Sequence, residues 1–579
     1  MFKLIRFLKG YWFKTVSGPF FKLIEAVFEL ITPLVVAWVI DTAIPEGQQG
    51  DYTALITGGA IIVALGVFGL AFSLTAQFFA SRASLGFGTN LRRELYAHVN
   101  TFSYRELDLF STPSLITRLT ADINQTQQAV AMFIRLVTRA PFIIVGSIVM
   151  AMIIDLKLSL IFLAVAVVVG GILFIILTTT MPKYKEVQSK LDTVTLYTRE
   201  NLSGARVVRA FGAEEREKRT FNAAADSLSR ASIRVGALSA LLNPLTYAVL
   251  NVAIIALLFF GGKQVYYGNL TQGEVIALVN YMMQILNALV VFANLLVIFT
   301  KASASAARIN EVFDVKSSMT EGKGAVPREN EPAIEFKDVT FYYANSPSPS
   351  LSNINLTVTK GASIGVLGGT GSGKSTLVSL IPRLYDVTEG EVRVFGVNVK
   401  EYSGAQIGSI ISMAPQKAVL FSGTVRDNML WGKADATDEE IQNALTVSQS
   451  AEFVNAFPEK LDKQILQGGK NLSGGQRQRL TVARALVSNP EILILDDSSS
   501  ALDFATDAKL RKALSSMREK TGLTTVTVSQ RATTVRHCDL IVVMDEGRIA
   551  GVGTHEQLFE TCEVYREICS SQNKEESEK

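Results

Sequence analysis

The sequence predicts a polytopic α-helical membrane domain, six transmembrane helices extended into the cytoplasm, fused to a C-terminal α/β domain. Three observations carry this. Every apolar run long enough to cross a bilayer lies before about residue 300. From about residue 321 the pattern changes to short β-branched strands, glycine turns and amphipathic helices. Hydrophobic residues make up 48% of the 579 and charged residues only 19%, where soluble domains carry about a quarter charged. The mean hydropathy of +0.27 agrees. This length exceeds one compact core, and the composition excludes collagen-like, disordered and disulfide-rich secreted chains. A net charge of +3, from 56 basic and 53 acidic residues, gives no case for nucleic acid as a partner. The cysteines, Cys538, Cys562 and Cys569, lack metal-ligand spacing and suit a reducing compartment.

Residues 1–320 form the expected membrane domain. Residues 53–81, 158–182, 235–262 and 275–300 are uncharged, and each exceeds the roughly 20 residues that span a bilayer core. Two charged stretches, 17–40 and 131–154, complete six spans. Lys and Arg crowd the N-terminus and the loops near 82–130 and 183–234, whereas the alternate loops are nearly free of them. Basic loops stay inside, so both termini of this multi-pass chain are expected in the cytoplasm. The two basic loops, about 50 residues each, read as helices continuing past the bilayer. Glu25 and Glu29 share one face of the first span. They read either as a cation-attracting substrate path or as a packing pair turned from lipid. Arg135 and Arg139 are expected at the cytoplasmic edge of the third span or just below it, and Pro33, Pro141 and Pro244 at kinks. Asn243, Asn251, Asn280, Gln284, Asn287 and Asn294 either line a polar cavity or tie helices together.

Residues 321–570 form the second domain, and 571–579 a charged tail expected to be irregular. An apolar strand at 362–367 runs directly into Gly368, Gly369, Thr370, Gly371, Ser372, Gly373, Lys374, Ser375 and Thr376. This is a G-x-x-x-x-G-K-[ST] phosphate loop in its strand–loop–helix setting. Glycines let backbone N–H groups face phosphates, Lys374 reaches the β- and γ-phosphates of ATP, and Ser375 offers a hydroxyl to Mg²⁺. Downstream, the apolar strand 491–495 ends in Asp496 and Asp497. The first is placed to hold Mg²⁺ and the second to orient an attacking water. Between them, Leu472, Ser473, Gly474, Gly475 and Gln476 open a helical run and form a second anion cradle.

This spacing of phosphate loop, Leu-Ser-Gly-Gly-Gln motif and Asp-tipped strand resembles the ATP-binding-cassette ATPases. Tyr343 resembles the aromatic platform for adenine. Gln416 resembles the loop glutamine that senses Mg²⁺ and contacts the membrane domain. Ser500, Ala501, Leu502 and Asp503 match the loop linking two cassettes. Six spans, long cytoplasmic loops and the order membrane-then-cassette are similar to ABC exporter half-transporters of the multidrug and lipid type, over nearly the whole chain. Ser114–Arg118 and Glu200–Val208 resemble their intracellular coupling segments. Two positions depart from the pattern: Asp497 stands where the family has a catalytic Glu, and Gln530 where it has a switch His. A carboxylate drawn back by roughly 1 Å misplaces its water, and a neutral amide cannot carry the imidazolium charge.

The resemblance therefore implies the degenerate-site subunit of a heterodimeric bacterial exporter. Its partner is a second half-transporter that carries Glu and His, and its substrate is an amphiphile: drug, lipid or peptide. Membrane lipid surrounds it. In such pairs each ATP lies between the phosphate loop of one chain and the signature of the other. This chain then binds ATP slowly hydrolysed at its own loop and completes the partner's site through Leu472–Gln476. The alternative is a regulatory ATP-binding subunit or ATP-gated channel.

Overall fold

The computed structural model describes residues 1–577, apart from Asn345 and the side chains of Phe2 and of residues 573–577. Its contacts divide the chain into two units. One holds Met1–Asn100 with Pro113–Asp314; the other holds Thr101–Thr112 and everything from Val315 onward.

Six apolar helical stretches make up the first unit: Trp12–Gln48, Thr53–Val99, Thr112–Ile154, Leu156–Ser203, Glu214–Tyr266 and Gln272–Asp314. Their lengths, 37 to 53 residues, far exceed a bilayer's need of about 20, so the charged loop sequences are indeed helix. Pro19, Pro33 and Pro182 lie inside continuous helices, and irregular turns stand near three prolines. Pro33 precedes a π-helical turn at Val39–Ala43, Pro141 follows one at Phe133–Val137, and Pro244 follows a break between Ala240 and Leu242. Asp155 turns the third helix into the fourth and caps it by accepting Leu158 N–H at 2.7 Å. The core lies on the sixth helix, where Leu278, Tyr281, Met282 and Ile285 pack against Phe162, Leu257 and Leu30. Tyr281 donates its hydroxyl to the Leu30 carbonyl at 2.6 Å. Along the second helix, Val63, Val67, Phe68, Leu70 and Leu74 are exposed to no protein partner, as a lipid-facing surface requires.

Among the described residues of the second unit twelve strands run in chain order: β1 Ile334–Phe341, β2 Leu351–Val358, β3 Ser363–Gly368, β4 Glu389–Val394, β5 Val397–Asn398, β6 Ile411–Ala414, β7 Gly423–Thr424, β8 Gln464–Ile465, β9 Ile492–Asp496, β10 Thr524–Ser529, β11 Leu540–Asp545 and β12 Arg548–Gly553. Six of them form a sheet ordered β12-β11-β3-β10-β9-β6, parallel except for the edge strand β12. A smaller antiparallel sheet is ordered β2-β1-β4-β5. Every residue of β9 is buried, which is why its sequence is a continuous apolar run rather than an alternating one. Register fixes the site: Val528 pairs with Asp496 and Ser529 with Leu367. The ends of β3, β9 and β10 therefore meet at one edge, where open α/β sheets bind ligands.

A helical layer packs on one face of the sheet, its core drawn from Leu480, Val482 and Leu486 against Leu493 and Leu495, while Ile492 and Ile494 of the same strand join the core on the other face. The last helix, Glu563–Ser577, continues into the tail that the sequence suggests is irregular.

Candidate nucleotide site

The phosphate loop is built as its glycines dictate. Gly371 and Gly373 have φ of +83° and +94°, the left-handed region that L side chains avoid. A Cβ on Gly368 would lie 2.3 Å from the Met544 carbonyl and 2.6 Å from Ser372 Oγ. Lys374 opens the helix Lys374–Leu380 and folds back over the loop, donating to the carbonyls of Gly368 at 2.9 Å and Gly369 at 2.5 Å. Burial lowers the pKa of its ammonium, while Asp497 and Asp496 pull it back up. The loop thus holds a cation close to its own carbonyls, free to trade them for phosphate oxygens.

Across the edge, Ser375 donates to Asp496 Oδ1 at 3.0 Å. A hydroxyl and a carboxylate within one ion's reach form the hard-oxygen pair that suits Mg²⁺, which takes few protein ligands and completes its shell with phosphate and water. Burial raises the pKa of Asp496, and Asp497 adds to this while the Ser375 bond opposes it. Burial also raises Asp497, which Gln416 and Lys374 oppose. Asp497 sits at φ +44°, a strained backbone for a non-glycine residue. It accepts from Gln416 Nε2 at 3.3 Å. Gln530 Oε1 accepts from Thr370 Oγ1 at 3.2 Å, and Tyr343 OH lies 3.1 Å from Thr376 Oγ1.

A cavity of about 470 Å³ joins these groups: Tyr343, Lys374, Ser375, Gln416, Asp496, Asp497 and Gln530 all line it. None of Leu472–Gln476 does. Ser473 instead caps the helix Gly474–Val487, with Gln476 N–H reaching Ser473 Oγ at 3.2 Å and Ser473 N–H reaching Gln476 Oε1 at 2.9 Å. Ser473 and Gly474 are exposed while Leu472 is buried as the root of the turn. Gly475 packs against the loop Ser500–Asp503, since a Cβ there would lie 3.1 Å from the Ala501 carbonyl. Asp503 caps the helix Phe504–Thr521, accepting Thr506 N–H at 2.8 Å.

Several placements add to the sequence reading. Glu25 and Glu29 each meet a cation of the chain itself, Lys22 Nζ at 2.6 Å and Arg139 Nη2 at 2.6 Å. Arg139 on the third helical stretch therefore ties to Glu29 on the first. The short helix Tyr104–Phe110 belongs to the second unit, and Ser114–Arg118 lies at the start of the third helical stretch. The signal of Tyr104–Phe110 was present as Ser103 and Glu106, whose Ser-x-x-Glu spacing is a capping box. Gln284 acts as a tie, donating to the Glu29 carbonyl at 3.2 Å. Gln572 was not legible at all. It donates to the Gln530 carbonyl and accepts from Ala532 N–H, both at 2.8 Å, clamping the Gln530 loop from the last helix.

Two family models match, the ABC transporter transmembrane region over residues 16–289 and the ABC transporter domain over residues 351–500. An ABC transporter ATP-binding protein of Mycobacterium tuberculosis is 37% identical over 567 residues, 95% of this chain and 94% of that one. The ATP-dependent lipid A-core flippase of Hahella chejuensis is 30% identical over 568 residues, 97% of this chain and 95% of that one. A bacterial Atm1-family ABC exporter with ATP bound shares the fold, with a TM-score of 0.79, 21% identity and coverage of 96% of this chain and 98% of that one. With six membrane helices, a phosphate loop and an Asp-tipped strand in the positions described, the chain belongs to the ABC transporter family, as an ATP-hydrolysing exporter half-transporter of the plasma membrane.

Proposed function

We propose that this chain is the degenerate-site half of a heterodimeric exporter of amphiphiles, with both termini cytoplasmic. One observation carries the reading: the cavity at the phosphate loop contains Asp497 and Gln530 but no signature residue. A γ-phosphate bound there needs a cradle from elsewhere, and the exposed Ser473 and Gly474 form one that serves another chain's nucleotide. At its own site Lys374 neutralises the β- and γ-phosphates. Ser375 and Asp496, with Gln416 beside them, would hold Mg²⁺, which would supply charge compensation on the transferred phosphoryl. Tyr343 stacks on adenine. Asp497 holds the attacking water less well than the longer Glu, and Gln530 contributes a neutral hydrogen bond in place of imidazolium charge.

The partner supplies Glu and His at the competent site, which this chain completes through Leu472–Gln476. Drug or lipid export is supported by the relatives' descriptions and by the unbroken match to exporter halves. Co-purification from the native membrane identifies the partner, and ATPase assays on the pair then test the assignment. Asp497→Ala changes turnover modestly because that site is already slow. Ser473→Arg stops turnover because it fills the competent site's cradle. The opposite pattern reverses the assignment of sites. A regulatory subunit or gated channel predicts no stimulation of ATPase by amphiphile.

A further inference from the structure

β10 is an interior strand of the large sheet, paired in parallel with β3 on one side and β9 on the other. A parallel strand covered on both faces reads as a continuous apolar run, as β9 does. β10 reads Thr-Thr-Val-Thr-Val-Ser instead. Val526 and Val528 join the hydrophobic core on one face. The alternate positions, Thr525 and Thr527, turn hydroxyls to the other.

On that second face the neighbouring strands are covered by two separate apolar clusters. Leu493 and Leu495 of β9 pack with Leu510 and Leu514 of the helix Phe504–Thr521. Leu367 of β3 and Ile541 and Val543 of β11 pack with Val535. Over Thr525 and Thr527 lies a cavity of about 500 Å³, edged by Leu510 and Leu514 of one cluster and Cys538 of the other. It shares no lining residue with the nucleotide cavity.

Its walls are polar where a core would be apolar. Ser498, Ser499 and Thr534 line it with Thr525, and all four are more than nine-tenths buried. Their hydroxyls find no hydrogen-bond partner among the described residues. Buried hydroxyls are nearly always bonded, to protein or to what occupies the space beside them. The helix Phe504–Thr521 contributes Arg511, Lys512 and Arg518. Asp507 pairs with Arg511 at 3.1 Å and Asp539 with Arg518, whereas Lys512, exposed at the rim, meets no carboxylate among the described residues. One positive charge is left over beside a floor of unengaged hydroxyls. That combination fits an anion which itself carries hydroxyls.

We propose that this cavity binds a small phosphorylated polyol, its phosphate on Lys512 and Arg511 and its hydroxyls over Thr525, Thr527 and Ser498. The place of the cavity in the chain makes it regulatory. Ser498 and Ser499 stand between Asp497 and the loop Ser500–Asp503, and Thr534 follows Gln530 by four residues. A bound ligand therefore holds the two segments that carry Asp497 and Gln530 to the nucleotide.

The test uses the full chain in dodecyl maltoside with Mg²⁺ and saturating AMP-PNP, which keeps the phosphate loop filled. Calorimetric titration compares glucose 6-phosphate and glycerol 3-phosphate with glucose and inorganic phosphate. At least one phosphorylated polyol is expected to bind about tenfold more tightly than glucose or phosphate. Thr527→Val keeps the branched shape and deletes one hydroxyl, and should weaken that binding about threefold or more. Lys512→Gln, at an exposed position without an ion-pair partner, should weaken it about tenfold. Bound ligand should also slow amide exchange across Ser498–Ser500, which binding elsewhere would not do. Retained AMP-PNP affinity shows that both variants fold. No binding by either phosphorylated polyol, or binding unchanged in either variant or without slowed exchange, overturns the proposal. So does inorganic phosphate bound as tightly as the polyols, which makes the cavity a site for a free anion.

Discussion

Asp496 is almost fully buried, 4% exposed, and burial lifts its pKa above the ordinary carboxylate range. The sign of the consequence differs with ligand state. Without nucleotide the folded chain holds the Asp496 proton more tightly than the unfolded chain does. This group's contribution to stability is therefore favourable at low pH and falls as pH rises through the window above about 3.9. With Mg²⁺ and ATP the carboxylate must be ionised, so nucleotide affinity falls on acidification through the same window. Titrating the thermal midpoint and ATP affinity of the full chain against pH checks both signs. Asp496→Asn should flatten the ligand-free slope and remove the acid loss of affinity, leaving weak binding at every pH. The residues that line this cavity were legible because the phosphate loop and the Asp-tipped strand are each runs of sequence neighbours. The clamp by Gln572 was not, because its partners lie 40 and 42 positions away.

The helix Tyr104–Phe110 shows how an element gains a fixed place from few residues. Ser103 and Glu106 close its N-terminus as a capping box, and Glu106, buried, also accepts from Ser318 N–H at 3.2 Å. Tyr385 donates its hydroxyl to Asp108 at 2.8 Å. Burial, then the bond to Asp108, hold that phenol well above the ordinary tyrosine range, so it remains a donor at any working pH. The ring of Tyr385 meets Tyr104 at 5.8 Å and Tyr343 at 5.4 Å between centroids. A chain of aromatic contacts therefore runs from Tyr343, proposed to stack on adenine, to the helix Tyr104–Phe110. Tyr385→Phe keeps the rings and deletes one hydrogen bond, worth about 1 kcal/mol. Amide exchange across Tyr104–Phe110 should quicken about fivefold with ATP affinity unchanged. Unchanged exchange shows that the rings alone hold the helix. Six membrane helices could be read from apolar length, and the strands beside the phosphate loop from their apolar runs. This short helix escaped because its apolar signal is weak and its stability comes from a cap and distant aromatic partners.

At the scale of the whole molecule, the charge-paired spans and the divided nucleotide site both depend on groups that no local pattern connects. Glu29 finds Arg139 110 positions away, and the signature lies outside the cavity its own phosphate loop lines. Sequence periodicity therefore revealed the helices and motifs without revealing which side chains pair. The asymmetry proposed for the assembled exporter can be tested without knowing the partner. Two copies of this chain, forced together at high concentration, build two sites that each have an intact Leu472–Gln476 cradle, Asp497 and Gln530. Both sites then bind ATP, and both lack the longer carboxylate and the imidazole. Loss of a positioned acid–base group costs about 10²–10⁴-fold, so the homodimer is expected to hydrolyse ATP barely above background. Asp497→Glu extends the carboxylate toward the water by one methylene, and Gln530→His restores a group able to carry charge beside Thr370. Since these groups act as a unit, each single variant should recover little, and the double variant should raise homodimer turnover by about 10²-fold or more. ATP affinity should stay nearly constant throughout, because Lys374 and Asp496 are untouched. A wild-type homodimer that already turns over as fast as the double variant would show that Asp497 and Gln530 suffice for hydrolysis, and the chain would then need no partner of different sequence.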